Sequence, residues 1–337
     1  MANPGLTIEQ MREAIYAFHK NGGNKAAAAR ELKLNYNTYE GRFNTAMRKA
    51  EIIAADDEGI ATLLVPKASR LHITVSERPN AYGKRLRGIA IGDAHDSPRL
   101  DNKDRFRWIG RHINEIGADF VIWIGDVLTF DSLSRFDDNA SLAGKFKPSF
   151  QQDIDSGHLA MKAYDVGKAG HKPEIEHITL GNHEDRALSF TNRTPEVAGI
   201  LTGKIDNLFM SHGLTYSPYG AFYFVDAVGF THAPLTRMGR AYSGVHALNN
   251  IGNHSLHDVV FGHRHIGGRM KCEKIGNNQS ITILDIGCSL PQGYVEPYVG
   301  HSSSGWMYGI YELLIDKGRL LSDKHISMTE LEELYAD

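Results

Sequence analysis

An α/β protein carrying a small three-helix unit at its N-terminus is the fold class that this 337-residue sequence predicts. Short apolar runs that end abruptly in polar residues, mostly after a glycine, predict the body: RGIAIGDAH, ADFVIWIGD, EHITLGNHE, VGFTHAP and DVVFGHRH. Between the first two lies a segment of helical character, 101–116, so strand and helix alternate as buried α/β sheets require. In such sheets the edge beyond the C-terminal strand ends is where ligands bind. The third observation is a shift in charge. Residues 1–50 hold eight Lys/Arg against four Asp/Glu, whereas the remainder holds 29 against 36. A basic head is thereby set apart from an acidic body.

The head reads as three helices. In 7–20, Ile8, Met11, Ile15 and Phe18 share one helical face, and Thr7 with Gln10 forms a capping-box pattern. The Asn21-Gly22-Gly23-Asn24 stretch stops that helix. An alanine-rich helix follows over Lys25–Leu32, then a turn at Lys33-Leu34-Asn35 and a third helix over Tyr36–Ala50. An alanine-packed helix, a short turn and a longer polar helix form the layout of a helix-turn-helix, to which residues 1–50 are similar. That likeness makes Lys25, Arg30, Arg42, Arg48 and Lys49 the candidate DNA contacts. A three-helix module that packs on protein, or dimerises, has the same shape. His19 reads as a solvated or packing residue.

Composition narrows the rest. Apolar residues make up 42% of the chain, enough for a full core, and no run approaches the roughly 18 apolar residues of a membrane span. The first residues lack the layout of a signal peptide. Cys272 and Cys288 fit no zinc spacing, so two reduced thiols in a cytoplasmic protein are expected. The net charge of −3 excludes a generic polyanion binder, and 17 histidines direct attention to metal or phosphate chemistry. From about Glu51 to Pro66 the periodicity fades, so 51–85 reads as a linker with a leading strand at Leu71–Val75 and a polar loop at Arg78–Arg87. The body spans 86–325 and a tail 326–337.

The strand ends present Asp93 and His95, then Asp126, then Asn182, His183 and Glu184, then His232, then His263 and His265. Carboxylate, imidazole and amide oxygen without thiolate suit divalent first-row metals and argue against a closed structural zinc site. The inventory is too large for one ion and right for two. Glycines before Asp126, Asn182 and His263 let the chain turn sharply and leave room beside the cluster.

In this order and context, the five blocks resemble the calcineurin-like metallophosphoesterases, a family that includes Mre11-type nucleases, purple acid phosphatases and Ser/Thr protein phosphatases. The resemblance covers about Arg87 to Lys324 and implies an α+β sandwich of the four-layer βαβ architecture. It implies that Asp93, His95 and His265 bind one metal, that Asn182, His232 and His263 bind a second, and that Asp126 bridges them. It implies two divalent cations, Mn with Zn, Fe or Ni as alternatives, and a bridging hydroxide as nucleophile. His183 would stand near the leaving oxygen in protonated form, steered by Glu184. His212 lies in the same interval as His232 and is the competing ligand; His254 and His257 read as surface or core histidines. Family members commonly carry a second aspartate three residues after the bridging one, and here Asp126 is followed by Val-Leu-Thr-Phe, leaving the hydrogen bonding to a ligand histidine open. Arg186 is a candidate phosphate contact or a structural ion-pair partner. Residues 131–172 lack a strong period and carry Arg135, Lys145, Lys147 and the aromatics Phe136, Phe146 and Phe150, with Phe130 just before them. They read as a nucleic-acid-contacting insertion or a packed lid.

Joined to such a head, the body is expected to be a nuclease hydrolysing DNA phosphodiesters. The alternatives are a phosphomonoesterase or small-nucleotide phosphodiesterase, and a DNA-binding regulator with an inactive body.

Overall fold

In the computed structural model the described residues are 6–49, 84–134, 146–197, 199–275, 279–296 and 305–336. The chain divides into two compact units, Met1–His72 and Ile73–Asp337.

The first unit contains helices α1 (Ile8–Lys20), α2 (Lys25–Glu31) and α3 (Tyr36–Arg48). Each starts on a side-chain cap. Thr7 accepts the Gln10 amide at 3.2 Å while the Gln10 side chain accepts the Thr7 amide at 3.1 Å, and Asn24 and Asn35 cap the other two. Ala14, Ala17, Ala28 and Ala29 pack against Tyr39 and Phe43, and the buried Tyr39 hydroxyl donates to the Ala14 carbonyl at 2.8 Å. The small alanines let the helices approach closely, and Lys33 at φ 53° turns the chain between α2 and α3. The expected strand at Leu71–Val75 and most of the 51–85 segment lie outside the described residues; the polar loop expected up to Arg87 gives way to a strand at Leu86.

The second unit is built on two mixed sheets. One has the order β11-β10-β1-β2-β3-β4 and the other β5-β6-β7-β9-β8. In the first, β1 (Leu86–Ile91), β2 (Phe120–Trp123), β3 (Ile175–Thr179) and β4 (Thr215–Ser217) run parallel, and β10 (Gly309–Asp316) and β11 (Arg319–Ser327) close the antiparallel edge. In the second, β6 (Val228–Thr231), β7 (Val259–Phe261) and β9 (Gln279–Asp285) run parallel between the antiparallel β5 (Tyr223–Val225) and β8 (Gly268–Lys274).

Alternation along the strands sorts the layers. Ile89, Ile91, Val121 and Trp123 face α4 (Asp104–Ile116), α5 (Phe150–Lys168), α7 (Ile200–Ser211) and α9 (Met328–Tyr335), after the short α6 (Asp185–Thr191). Ala90, Phe120 and Ile122 face the other way, into a core shared with Val228, Phe230, Val260 and Leu284 of the second sheet. The outer face of that sheet is covered by α8 (Ala247–His254) through Ile251 against Val259, Phe261 and Ile283. Helix, sheet, sheet and helix therefore stack as the sandwich the sequence predicts. Strands buried on both faces explain why the runs read as continuously apolar.

Two expectations need correction. The second half of 131–172 is no irregular insertion but the 19-residue helix α5. Its buried face contains Asp153, Ser156, Gly157, Gly167 and Lys168, small or polar residues that erase the apolar period. Arg135, Phe136 and Lys145 lie outside the described residues. The expected tail 326–337 is the end of β11 followed by α9, which Ser327 caps and which buries Leu331 and Tyr335. The segment expected at 101–116 is α4, beginning at Asp104.

Helices α4 and α5 cross on glycine. A Cβ on Gly110 would overlap the Tyr164 carbonyl and crowd the Lys168 amide, and one on Gly167 would overlap the Arg107 carbonyl. In an open helix Gly→Ala stabilises by about 1 kcal/mol. Here Gly110→Ala is expected to destabilise by about 1–3 kcal/mol, because backbone must move. A lowered urea midpoint at unchanged slope is the expected readout, and a raised midpoint would contradict the close crossing.

Candidate metal centre

Every expected ligand lies just beyond the C-terminal end of a strand: Asp93 and His95 after β1, Asp126 after β2, Asn182 after β3, His232 after β6, and His263 and His265 after β7. They converge. Three clusters form, Asp93–His95–His265, His95–Asp126–His183 and Asp126–His232–His263, each with ligand atoms within 4.8 Å of one another. Asp126 and His95 are the shared members.

The distances are those of donors around a cation. His95 Nε2 is 3.1 Å from His265 Nε2, which is 3.2 Å from Asp93 Oδ1. His232 Nε2 is 3.0 Å from Asn182 Oδ1, 3.2 Å from His263 Nδ1 and 3.3 Å from Asp126 Oδ2. Tetrahedral donors at metal distances of about 2.0–2.1 Å stand roughly 3.3 Å apart. His232 Nδ1 donates to the Ile124 carbonyl at 2.6 Å, which leaves Nε2 to face the cluster. Asp93 Oδ1 and His95 Nδ1 are buried without a hydrogen-bond partner among the described residues. An anionic oxygen in that condition needs a counter-charge.

The backbone is shaped around these atoms. Asp93, His95, Asp126, His263 and His265 have φ of 37°, 45°, 45°, 72° and 60°, the left-handed region, at a cost of about 1–3 kcal/mol each. Five ligand candidates in that conformation point to a site that stability alone would not select. Two glycines are needed by close approach: a Cβ on Gly181 would overlap the Asp126 carboxylate, and one on Gly262 would overlap that of Asp93.

Electrostatics points the same way. Burial pushes the Asp126 carboxyl up to about 7, with His232 opposing and the charges of Glu184 and Asp93 adding to it. Burial would also lower His232, but Asp126 and Asp93 outweigh it and hold the imidazole above its ordinary value. Burial pushes His95 well down and His263 down to about 4. The lowered imidazoles of His95 and His263 beside clustered carboxylates are of the neutral kind that a divalent cation requires as donors. The residues fit two such ions, one at Asp93, His95 and His265, the other at Asn182, His232 and His263, with Asp126 between.

His183 stacks edge-on against His95 at 4.6 Å between ring centroids, with Nε2 3.8 Å from Asp126 Oδ2. Its Nδ1 donates to the Thr129 carbonyl at 2.7 Å, and its Nε2 accepts from Arg186 at 3.1 Å. Burial first, then Arg186, push this imidazole well below its ordinary value, a direction that opposes the protonated form the resemblance implies. The expected steering by Glu184 is also corrected. That carboxylate accepts the amides of Asp126 at 2.9 Å, Gly181 at 2.8 Å and Leu128 at 3.1 Å, and so positions the two ligand-bearing loops. Thr129 stands three residues after Asp126, and its carbonyl rather than a carboxylate orients the histidine.

Other assignments sort by geometry. His212 ends α7 and pairs with Asp165 at 2.5 Å, away from the cluster, which leaves His232 as the ligand. His254 meets the Tyr242 hydroxyl, His257 packs on Phe222 and Phe224, and His19 is exposed. Arg186 also donates to the Thr129 carbonyl at 2.8 Å. Lys147 donates to the Ser134 carbonyl, Phe150 stacks on Phe130, and Phe146 is 74% exposed. In the first unit Lys25 pairs with Glu40 at 3.0 Å. Arg42 is turned against Glu13 with its side chain only 14% exposed, so as a surface contact it is corrected. Arg30 and Lys49 are exposed, and the Arg48 side chain lies outside the described residues.

Two aromatic neighbours escaped the sequence reading. Trp306 packs edge-on against His265 at 4.3 Å, and the Tyr219 ring lies 5.9 Å from that of His232. Both stand outside the ligand motifs, so spacing carries no signal for them.

Among solved structures the chain is similar to a dimetal phosphatase from Danio rerio, at 11% identity and a TM-score of 0.35, over 72% of this chain and 99% of that one. No family model and no curated protein matches it. The chemistry of the site is read from its own geometry.

Gly181→Ala removes no ligand yet displaces the Asp126 carboxylate. Its affinity for Mn, measured by calorimetric titration, is expected to fall about 10–100-fold. Unchanged affinity would contradict the placement of Asp126 between the ions.

Proposed function

We propose that this chain is a two-metal phosphodiesterase acting on DNA. The observation that carries the reading is the convergence of six N and O donor residues on either side of Asp126, with five of these seven residues on left-handed backbone. What a pair of divalent cations supplies when bound is a water acidified toward neutrality and neutralised phosphate oxygens. Mn suits the donor set, with Zn, Fe and Ni as alternatives.

The chain's own groups do the rest. Asp126 Oδ1 accepts the His183 amide at 2.8 Å, which ties the carboxylate to the loop that bears the histidine. His183 keeps its Nδ1 proton on Thr129 and turns Nε2 toward Asp126 and Arg186. In this reading Arg186 brings the positive charge to the departing oxygen, with His183 as its neutral neighbour.

The DNA target is supported by the first unit. Its α2–turn–α3 arrangement has the helix-turn-helix layout, Tyr36, Asn37 and Thr38 are exposed at the start of α3, and Arg30 is exposed near the end of α2. Such a head raises the local concentration of DNA for the catalytic body.

Asp126→Ala is expected to abolish hydrolysis of bis-p-nitrophenyl phosphate and of supercoiled DNA in the presence of Mn. Deleting residues 1–50 should weaken DNA cleavage and leave the small diester untouched. Turnover of a monoester or cyclic nucleotide with indifference to that deletion would replace DNA by a small-molecule substrate. A wild-type chain that binds no metal and spares every ester would make the body a regulator.

A second expectation separates Arg186 from His183. Arg186→Ala should lose more kcat on diesters with poor leaving groups than on p-nitrophenyl diesters. Equal losses would remove Arg186 from the leaving-group step.

A further inference from the structure

The chain that leaves β6 passes through His232 and then forms a hairpin. Leu235 bridges Ala241, the Thr236 amide donates to the Arg240 carbonyl at 2.8 Å, and the Gly239 amide donates to the Thr236 carbonyl at 2.8 Å. Gly239 takes the left-handed conformation, φ 72°, that such a turn requires, and the Thr236 hydroxyl accepts the Arg240 amide at 3.3 Å. The tip is thus fixed by backbone and one threonine rather than by packing. It presents Arg237, Met238 and Arg240, all exposed, with Met238 at 84%.

Those arginines differ from the ones around the metal cluster. Arg99 pairs with Asp131, Arg105 with Asp96, Arg264 with Asp285, and Arg186 is held by the Thr129 carbonyl. The guanidinium groups of Arg237 and Arg240 have no ion-pair or hydrogen-bond partner among the described residues. They stand on the acidic part of the chain, where residues 51–337 hold 29 Lys/Arg against 36 Asp/Glu. The hairpin follows a ligand at the sheet edge where every other ligand lies, and the Arg237 Cα is at most about 18 Å of chain from that of His232.

We infer that this hairpin grips the DNA duplex beside the cleavage centre, its two arginines on backbone phosphates and Met238 against the base edges of a groove. The inference deepens the nucleic-acid reading above and rests on it. Free guanidiniums suit phosphate oxygens, and an apolar tip between them suits the groove side of a base step.

The test is binding of a fluorescein-labelled duplex to the full chain by anisotropy across a salt series. Each phosphate contact adds about 0.9 to the slope of log K against log salt. Arg237→Ala with Arg240→Ala is therefore expected to lower that slope by about 2 at unchanged melting temperature. Replacing both with Lys should restore it, and Met238→Ala should weaken binding several-fold at constant slope. A wild-type chain that binds and cleaves DNA while the double-alanine variant keeps the full slope overturns the hairpin and leaves the proposed function standing. Lysine variants that fail to restore the slope overturn the phosphate contact. A wild-type chain that binds no DNA, or binds only anionic vesicles, overturns the hairpin inference together with the DNA reading.

Discussion

The carboxylate of Asp126 is the point on which the larger unit converges. Its Oδ2 faces His95 at 3.8 Å, His183 at 3.8 Å and His232 at 3.3 Å, side chains that arrive from β1, β3 and β6. Its Oδ1 and its own amide are bound to the loop after β3, through the His183 amide and Glu184. Its carbonyl accepts the His95 amide at 2.8 Å. One residue thereby registers loops from both sheets. Burial makes an isolated charge there unfavourable, pushing its carboxyl up to about 7, and only cations or protons relieve that. The left-handed backbone, the glycines that clear space and the partnerless Asp93 oxygen all follow from holding that arrangement.

The arrangement also explains the division of labour around it. Lys103 reaches the buried Asp96 at 2.6 Å and Ser156 reaches it at 2.6 Å, so the loop that carries Asp93 and His95 is clamped onto α5. The amides of Asp96 and Thr129 exchange hydrogen bonds with the facing loop, at 2.7 and 2.8 Å. A rigid scaffold of this kind positions donors before any ion or substrate arrives, which is what preorganised catalysis requires.

Much of this was legible in the sequence because the ligands are local to strand ends. A buried parallel strand reads as an apolar run, and the break into Gly125-Asp126 or Gly262-His263 is visible without a structure. The order of strand and helix followed from the alternation, and the four layers from the resemblance that the five blocks carry. What escaped was set by contacts distant in sequence. Glu184 binds amides rather than the adjacent histidine, and two of its three partners belong to the loop after β2, 56 to 58 residues earlier. Helix α5 was hidden because glycine and polar residues occupy much of its buried face. Arg42 was read as a candidate DNA contact, whereas it lies largely buried on α3 and reaches Glu13 of α1 at 3.7 Å.

A position of Asp126 between two cations can be seen in crystals soaked in Mn and measured near its absorption edge. Two anomalous peaks about 3.5–4 Å apart are expected on either side of Asp126 Oδ2, one against His95 and His265, the other against His232 and His263. A single peak, or peaks bound away from Asp126, would contradict it.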